Sequence, residues 1–283
     1  MISLLSLPSP PSPILVEVGP LALRYYGLLI ALGIAVGTWL TGRELARRGL
    51  DPALAMDSLL YVIIPGFVGA RLYHVITDYE LYANDPLGIF AVWEGGLGIY
   101  GAVAGGLLGA YLFCRSRGIG LLTFADAAAP GLVIGQSIGR WVNYFNQELF
   151  GRPSELPWAI RIAPEHRPAG FEDAAAFHPT FLYESLWNLG VGLLLLWAAR
   201  RFAASLKAGD VFVLYVSLYS VGRFFMELLR IDRAFFIGEG FRGNLIVSSL
   251  LALVFALLLL LRHTGRDSRG PAKNRPATGR RKR

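Results

Sequence analysis

Seven stretches of roughly twenty residues run almost without charge through this chain, near 21–41, 55–77, 89–113, 121–141, 179–199, 210–226 and 244–262, each about the length a helix needs to cross a bilayer. Hydrocarbon offers the backbone no hydrogen-bond partner, so a segment of this kind must satisfy its own N–H and C=O groups as a helix. A spanning β-barrel would instead show short alternating strands, which the sequence lacks. Composition agrees: 54% of the 283 residues are apolar and 17% charged, against about 25% charged in soluble domains. The mean hydropathy is +0.48. The expected fold is all-α, a polytopic membrane protein with seven transmembrane helices over residues 21–262. Two of the seven, 89–113 and 210–226, carry polar residues that blur their edges.

The formal charge of +7 is concentrated at one end of the chain. From Arg262 to Arg283 there are nine Lys or Arg and one Asp, which leaves the rest of the chain close to neutral. Residues 263–283 therefore read as a basic, disordered tail attracted to anionic head groups, with no nucleic-acid partner expected. Arg43, Arg47 and Arg48 follow the first stretch, Arg115 and Arg117 the third, and Arg200, Arg201 and Lys207 the fifth. These are alternate connections, so the positive-inside rule places them in the cytoplasm with the C-terminus, and the N-terminus outside. Residues 1–20, apolar at Met1–Leu7 and then rich in proline, lack the basic n-region and long apolar core of a cleavable signal, and are expected to form an irregular external segment. Cys114 is the one cysteine, which excludes a disulfide framework and leaves it a packing role.

With this topology, the polar residues inside the stretches gather at one depth. Tyr25 and Tyr26, Arg71 and His74, Trp93, Glu94 and Tyr100, Arg140, His178 and Glu184, and Tyr219, Arg223, Glu227 and Arg230 all fall near the outer face. Ionisable groups at membrane depth are costly and mark functional sites or wet cavities. The densest string runs from Gly139 to Gly151, where Arg140, Asn143 and Gln147 would share a face if the helix continued. Arginine's planar fork binds phosphate and keeps its charge when half-buried, so an outer-leaflet phospholipid suits Arg140 and Arg223. The alternatives are pairing with Glu148 or Glu227, or snorkelling at the boundary. Arg71 reads as ambiguous between ligand binding and structure. The glycines from Gly95 to Gly109 allow close helix packing. His74 and His166 lack metal-ligand spacing, and no metal is expected.

The pattern Gly139-Arg140-x-x-Asn143-x-x-Asn146-x-Glu148-x-x-Gly151 resembles the signature of the prolipoprotein diacylglyceryl transferase family. Three further segments resemble it in order: Trp93-Glu94-Gly95-Gly96 with the glycine run after it, His178-Pro179-Thr180-x-x-Tyr183-Glu184, and Gly222-Arg223-Phe224-x-x-Glu227-x-x-Arg230. Arg24-Tyr25-Tyr26-Gly27 also matches. The resemblance implies a bacterial inner-membrane enzyme with its site toward the outer face. Such an enzyme transfers the diacylglyceryl group of phosphatidylglycerol to the lipobox cysteine of a prolipoprotein signal peptide, leaving a thioether and releasing glycerol phosphate, with no cofactor. It further implies that Arg140 and Arg223 serve the lipid phosphate and leaving group, with Asn143, Tyr26 and Gly151 at the substrate. Glu148, Glu227 and Arg230 would fix the arginines, and His178 would be structural. Tyr100 stands where many members have His and is the candidate proton acceptor or orienter. The chief rival from another class is a transporter or flippase for anionic lipids.

Overall fold

The computed structural model describes residues 7–10, 12–19, 21–83, 85–231, 236–237 and 241–264. The N-terminal part forms an antiparallel pair, β1 (Ile14–Val18) with β2 (Leu21–Arg24), rather than an irregular segment. Helix α1 (Tyr25–Arg47) follows directly and is joined by a tight turn at Gly49 to α2 (Ala53–Thr77). The helical part of the third apolar stretch, α3 (Ile99–Arg117), begins ten residues later than its apolarity predicts. Residues 85–98 instead form short 3-10 turns at Pro86–Phe90 and Val92–Glu94 and then extended chain, because Gly95 and Gly96 adopt positive φ and end the turn. Trp93 therefore precedes the helix instead of lying in its outer half, and the side chain of Glu94 lies outside the described residues.

Helix α4 (Leu121–Gly139) is followed after Arg140 by the short α5 (Trp141–Asn146). The connection beyond it is a folded cap containing β3 (Ile160–Arg161) paired with β4 (Ala176–Phe177). Then come α6 (Thr180–Arg201), α7 (Asp210–Leu229), a pair of two-residue strands β5 (Phe236–Ile237) and β6 (Phe241–Arg242), and α8 (Gly243–Thr264). The three small sheets correct a purely helical expectation; strands of two to five residues have too few alternations to leave a pattern. The basic tail lies outside the described residues beyond Thr264.

Among the described residues, seven helices reach nineteen residues or more, and six stretches, α1, α2, α4 with α5, α6, α7 and α8, are long and apolar enough to cross a membrane. The exception to the expected seven is α3, whose glycines contribute no apolar side chain and whose last turn carries Arg115 and Arg117. The protein is thus mostly helical and multi-pass, with large apolar side chains exposed along its helices, as lipid-facing surfaces require.

Packing is led by three helix pairs, α2 with α3, α1 with α4, and α7 with α8, and α4 also meets α6 and α7. Glycine lets the first pair approach closely. Gly101, Gly105 and Gly109 repeat at four-residue spacing, and a methyl group on each would overlap the carbonyl oxygens of Gly69, Pro65 and Tyr61. Without a hydrophobic force between helices in lipid, this backbone contact supplies the dispersion energy of the interface. Cys114 is buried beside Phe113, Phe124 and Leu45, in agreement with its packing role.

The two ends of the bundle differ in their polar chemistry. At the end holding the C-termini of α1, α3, α6 and α8, the Glu44 carboxylate accepts from Arg47 and Arg48 at 2.8 Å, and Arg200 lies 4.0 Å away. Asp126 accepts from the backbone N–H groups of Gly209 and Phe212 at 2.7 and 2.9 Å, capping α7 from α4. Arg262 and His263 of α8 pair with Asp210 of α7 at 2.7 and 2.8 Å. The opposite end carries the candidate site.

Candidate functional site

The polar string forms where α4 stops. Arg140 keeps helical angles and its N–H still donates to Gln136, so the chain continues into α5 with little change of direction. Gln147 and Leu149 then take left-handed φ values of 50° and 54°, a conformation that costs a side-chain-bearing residue about 1 kcal/mol or more. It is held by hydrogen bonds from Thr180 to the Leu149 carbonyl and from Ala163 N–H to the Gln147 side chain. The helix therefore ends before Gln147, which does not extend the face shared by Arg140 and Asn143.

The turn brings Gly151 against the start of α6. Its N–H donates to the His178 carbonyl at 2.9 Å, and its backbone bridges Arg230. A methyl group there would press on the His178 side chain, so only glycine permits the approach. The cap closes over an apolar cluster of Phe150, Ile160, Ile162, Phe177 and Phe181. His178 sits in this cap with Nδ1 3.3 Å from the Tyr183 hydroxyl, which also accepts from Trp158 at 2.9 Å. Burial lowers the His178 pKa below its ordinary value. The neutral ring so favoured is a component of the cap.

Two arginines from different helices meet one carboxylate. Arg140 Nε pairs with Glu184 Oε2, and Arg223 Nη1 with Glu184 Oε1 at 3.1 Å. Arg223 Nη2 reaches Glu227 Oε2 at 3.1 Å, and Asn244 donates to the other oxygen of Glu227 at 3.3 Å. The row Arg140, Glu184, Arg223, Glu227, Asn244 thus crosses from α4 through α6 and α7 to α8. The carboxylates are the buried members, with side chains 7% and 4% exposed, whereas the arginines are 21% and 22% exposed. The terminal nitrogens of Arg140 make no hydrogen bond among the described residues. A partly open guanidinium, fixed from behind by a buried carboxylate, is arranged to receive an oxyanion.

The other sequence-derived candidates are distributed around this row. Glu227 pairs with Arg223 as expected. Glu148 does not pair with either arginine: the left-handed turn leaves it exposed, accepting from Asn146 at 3.1 Å. Asn143, half-buried on α5, offers its side-chain amide without a protein partner among the described residues. Tyr26 is half-exposed on the first turn of α1, next to Tyr25, whose ring stacks on Phe145 at 3.7 Å. Tyr100 begins α3 at the same end of the bundle, but its ring packs on Tyr73 at 5.8 Å and it is not joined to the ion row. Arg230 caps the C-terminus of α7. Arg71 is structural: its guanidinium donates to the carbonyls of Gly88, Ile89 and Gly95 at 2.6 to 2.8 Å and so holds the 85–96 loop. Glu184 was given no role by sequence reasoning, although a lone carboxylate inside an apolar helix implies a cationic partner. Asn244 carried no such signal.

Comparison with known proteins finds relatives over most of the chain. The family model described as prolipoprotein diacylglyceryl transferase matches residues 13–261. A phosphatidylglycerol–prolipoprotein diacylglyceryl transferase 2 of Streptomyces coelicolor is 47% identical, covering 97% of this chain and 87% of its own length. A protein of the same name from Paenarthrobacter aurescens is 49% identical, covering 91% and 85%. Another from Gloeobacter violaceus is 47% identical, covering 78% and 82%.

Proposed function

The chain belongs to the prolipoprotein diacylglyceryl transferase family, and from that premise we propose how its paired arginines carry out the transfer. The enzyme moves the diacylglyceryl group from phosphatidylglycerol to a prolipoprotein. The acceptor is the lipobox cysteine, whose sulfur attacks the glycerol carbon that carries the phosphate. The thiol releases its proton to water, a C–S bond forms, the C–O bond to phosphate breaks, and glycerol phosphate leaves with the bonding electrons. Negative charge therefore grows on the phosphate oxygen as the reaction proceeds. Arg140 and Arg223 stabilise it, because donors fixed in place before the reaction need no reorganisation when the charge appears. The observation that carries this reading is the single buried carboxylate, Glu184, that both arginines share.

Glu184 and Glu227 orient the two forks and offset their charge. Asn143 and Tyr26 supply hydrogen bonds to the glycerol and phosphate oxygens. Gly151 keeps the cap close to the site. An ordinary thiol has a pKa near 8.5, and the arginine field favours its ionised form. Tyr100, at the same end of the bundle, is assigned to orienting the thiol.

The topology follows from the same ends. Helix α3, about 28 Å long at 1.5 Å per residue, is the seventh span, packed along its whole length on α2. The arginines that end α1, α3, α6 and α8 are cytoplasmic, the N-terminus is outside, and the ion row faces the outer leaflet of the bacterial inner membrane, where a lipobox would lie. Purified protein incubated with labelled phosphatidylglycerol and a lipobox peptide tests the reading. Thioether product is expected from the native chain and not from Arg140→Ala or Arg223→Ala; normal turnover in both variants would remove the arginines from the mechanism.

A further inference from the structure

One turn deeper than Glu184, on the same face of α6, stands Asn188. It is 3% exposed, and its Nδ2 has no hydrogen-bond partner among the described residues. Below it the buried face of α6 consists of Val191, Gly192, Leu195, Ala198 and Ala199, so Asn188 is the deepest polar side chain on that face. Gln136 provides the contrast. It lies one turn deeper than Arg140 on α4, hence in the same layer, yet its amide donates to the Tyr215 hydroxyl at 3.1 Å. Of these two amides beneath the ion row, one is satisfied by a described residue and the other is not. A buried donor without an acceptor destabilises the fold, and hydrocarbon cannot supply one.

We propose that Asn188 binds the lipid donor, its amide donating a hydrogen bond to an acyl ester carbonyl of the phospholipid whose phosphate lies on Arg140 and Arg223. The inference rests on that assignment of the arginines. In a phospholipid the three-carbon glycerol separates phosphate from ester. In the bundle one helical turn, about 5.4 Å, separates the arginine layer from the amide. A lipid held at both points has its reacting carbon fixed between them, next to the phosphate. The ester carbonyls take no part in the bond changes and stay with the transferred group, so the contact persists from donor to product.

The test uses the full chain in mixed micelles, a lipobox peptide, and two donors: phosphatidylglycerol with ester-linked chains and its diether analogue, which lacks both carbonyls. In the native enzyme the diether donor should show an apparent KM about tenfold higher, the 1.4 kcal/mol of one hydrogen bond. Asn188→Leu should raise KM about tenfold for the ester donor, with little change in kcat, and leave the diether donor unaffected. Equal effects of the variant on both donors, as a structural role or a bound water would give, overturn the proposal, and so does an unchanged KM for the ester donor. Asn188→Ala is read in the same way should the leucine variant not fold. Failure of the transferase reading itself shows separately, as no transfer by the native chain from either donor, and takes this inference with it.

Discussion

Glu184→Gln keeps the shape of the side chain that joins Arg140 to Arg223 and removes its charge. Two guanidinium groups then face each other across a neutral amide, and transfer should fall at least a hundredfold while the protein still inserts and unfolds cooperatively; activity within a few-fold of native would show that the shared carboxylate does not position the arginines. Removing one partner from a buried ion pair typically destabilises by about 3–5 kcal/mol, so Glu184→Ala should also lower thermal stability. His178 gives a prediction of opposite pH sense to a paired histidine. Its folded pKa lies below the unfolded value, so the neutral ring contributes stability that is fully present above about pH 6.5 and is lost as the pH falls through the folded value. Thermal midpoints measured between pH 8 and pH 5 should drop on the acid side, and His178→Gln should flatten that drop. At this scale the sequence revealed which charges share a depth but not which ones touch. Glu148 is close to Arg140 along the chain, yet the positive φ of Gln147 and Leu149 turns it away, whereas Glu184 is forty-four positions distant and meets both arginines.

Helix α3 depends on glycine for contact rather than for flexibility. Gly105→Leu would drive a side chain into the Pro65 carbonyl and separate α2 from α3, with a cost of about 1–3 kcal/mol or more and a clear loss of thermal stability in detergent. Gly106→Ala is the control: its added methyl meets Val62 at an ordinary 3.7 Å, and the midpoint should be close to native. If both variants melt alike, α3 is not held by backbone contact. Apolar length located the helices well, because only a helix satisfies the backbone in hydrocarbon. It failed at residues 89–98, where Ile89, Phe90, Ala91 and Val92 prolong the apolar run although Gly95 and Gly96 prevent a helix, and where the five carbonyls held by Arg71 are visible only in three dimensions. The strands of the cap were hidden for a different reason: Ile160–Arg161 and Ala176–Phe177 are each two residues long.

Over the whole molecule, the separation of basic ends from the ion row predicts an orientation that labelling can read. With Cys114 replaced by Ala, a membrane-impermeant maleimide should label Glu155→Cys in the cap on intact cells and Ala204→Cys, between α6 and α7, only after permeabilisation; the reverse pattern would invert the topology. The proposed sidedness rests on positive residues that recur at alternate helix ends, a pattern along the chain. The candidate site was half-readable, since its row of five polar groups comes from four helices, two of the groups from α7, and their meeting depends on packing. The end opposite the site is laced across α1, α4, α7 and α8 by Arg48 reaching the Asp126 carbonyl, by Asp126 capping α7, and by Asp210 pairing with Arg262 and His263. Since the ion row fastens α4, α7 and α8 at the other end as well, these helices are pinned twice, and the arginines stand on a frame braced like a ladder rather than on helices free to swing.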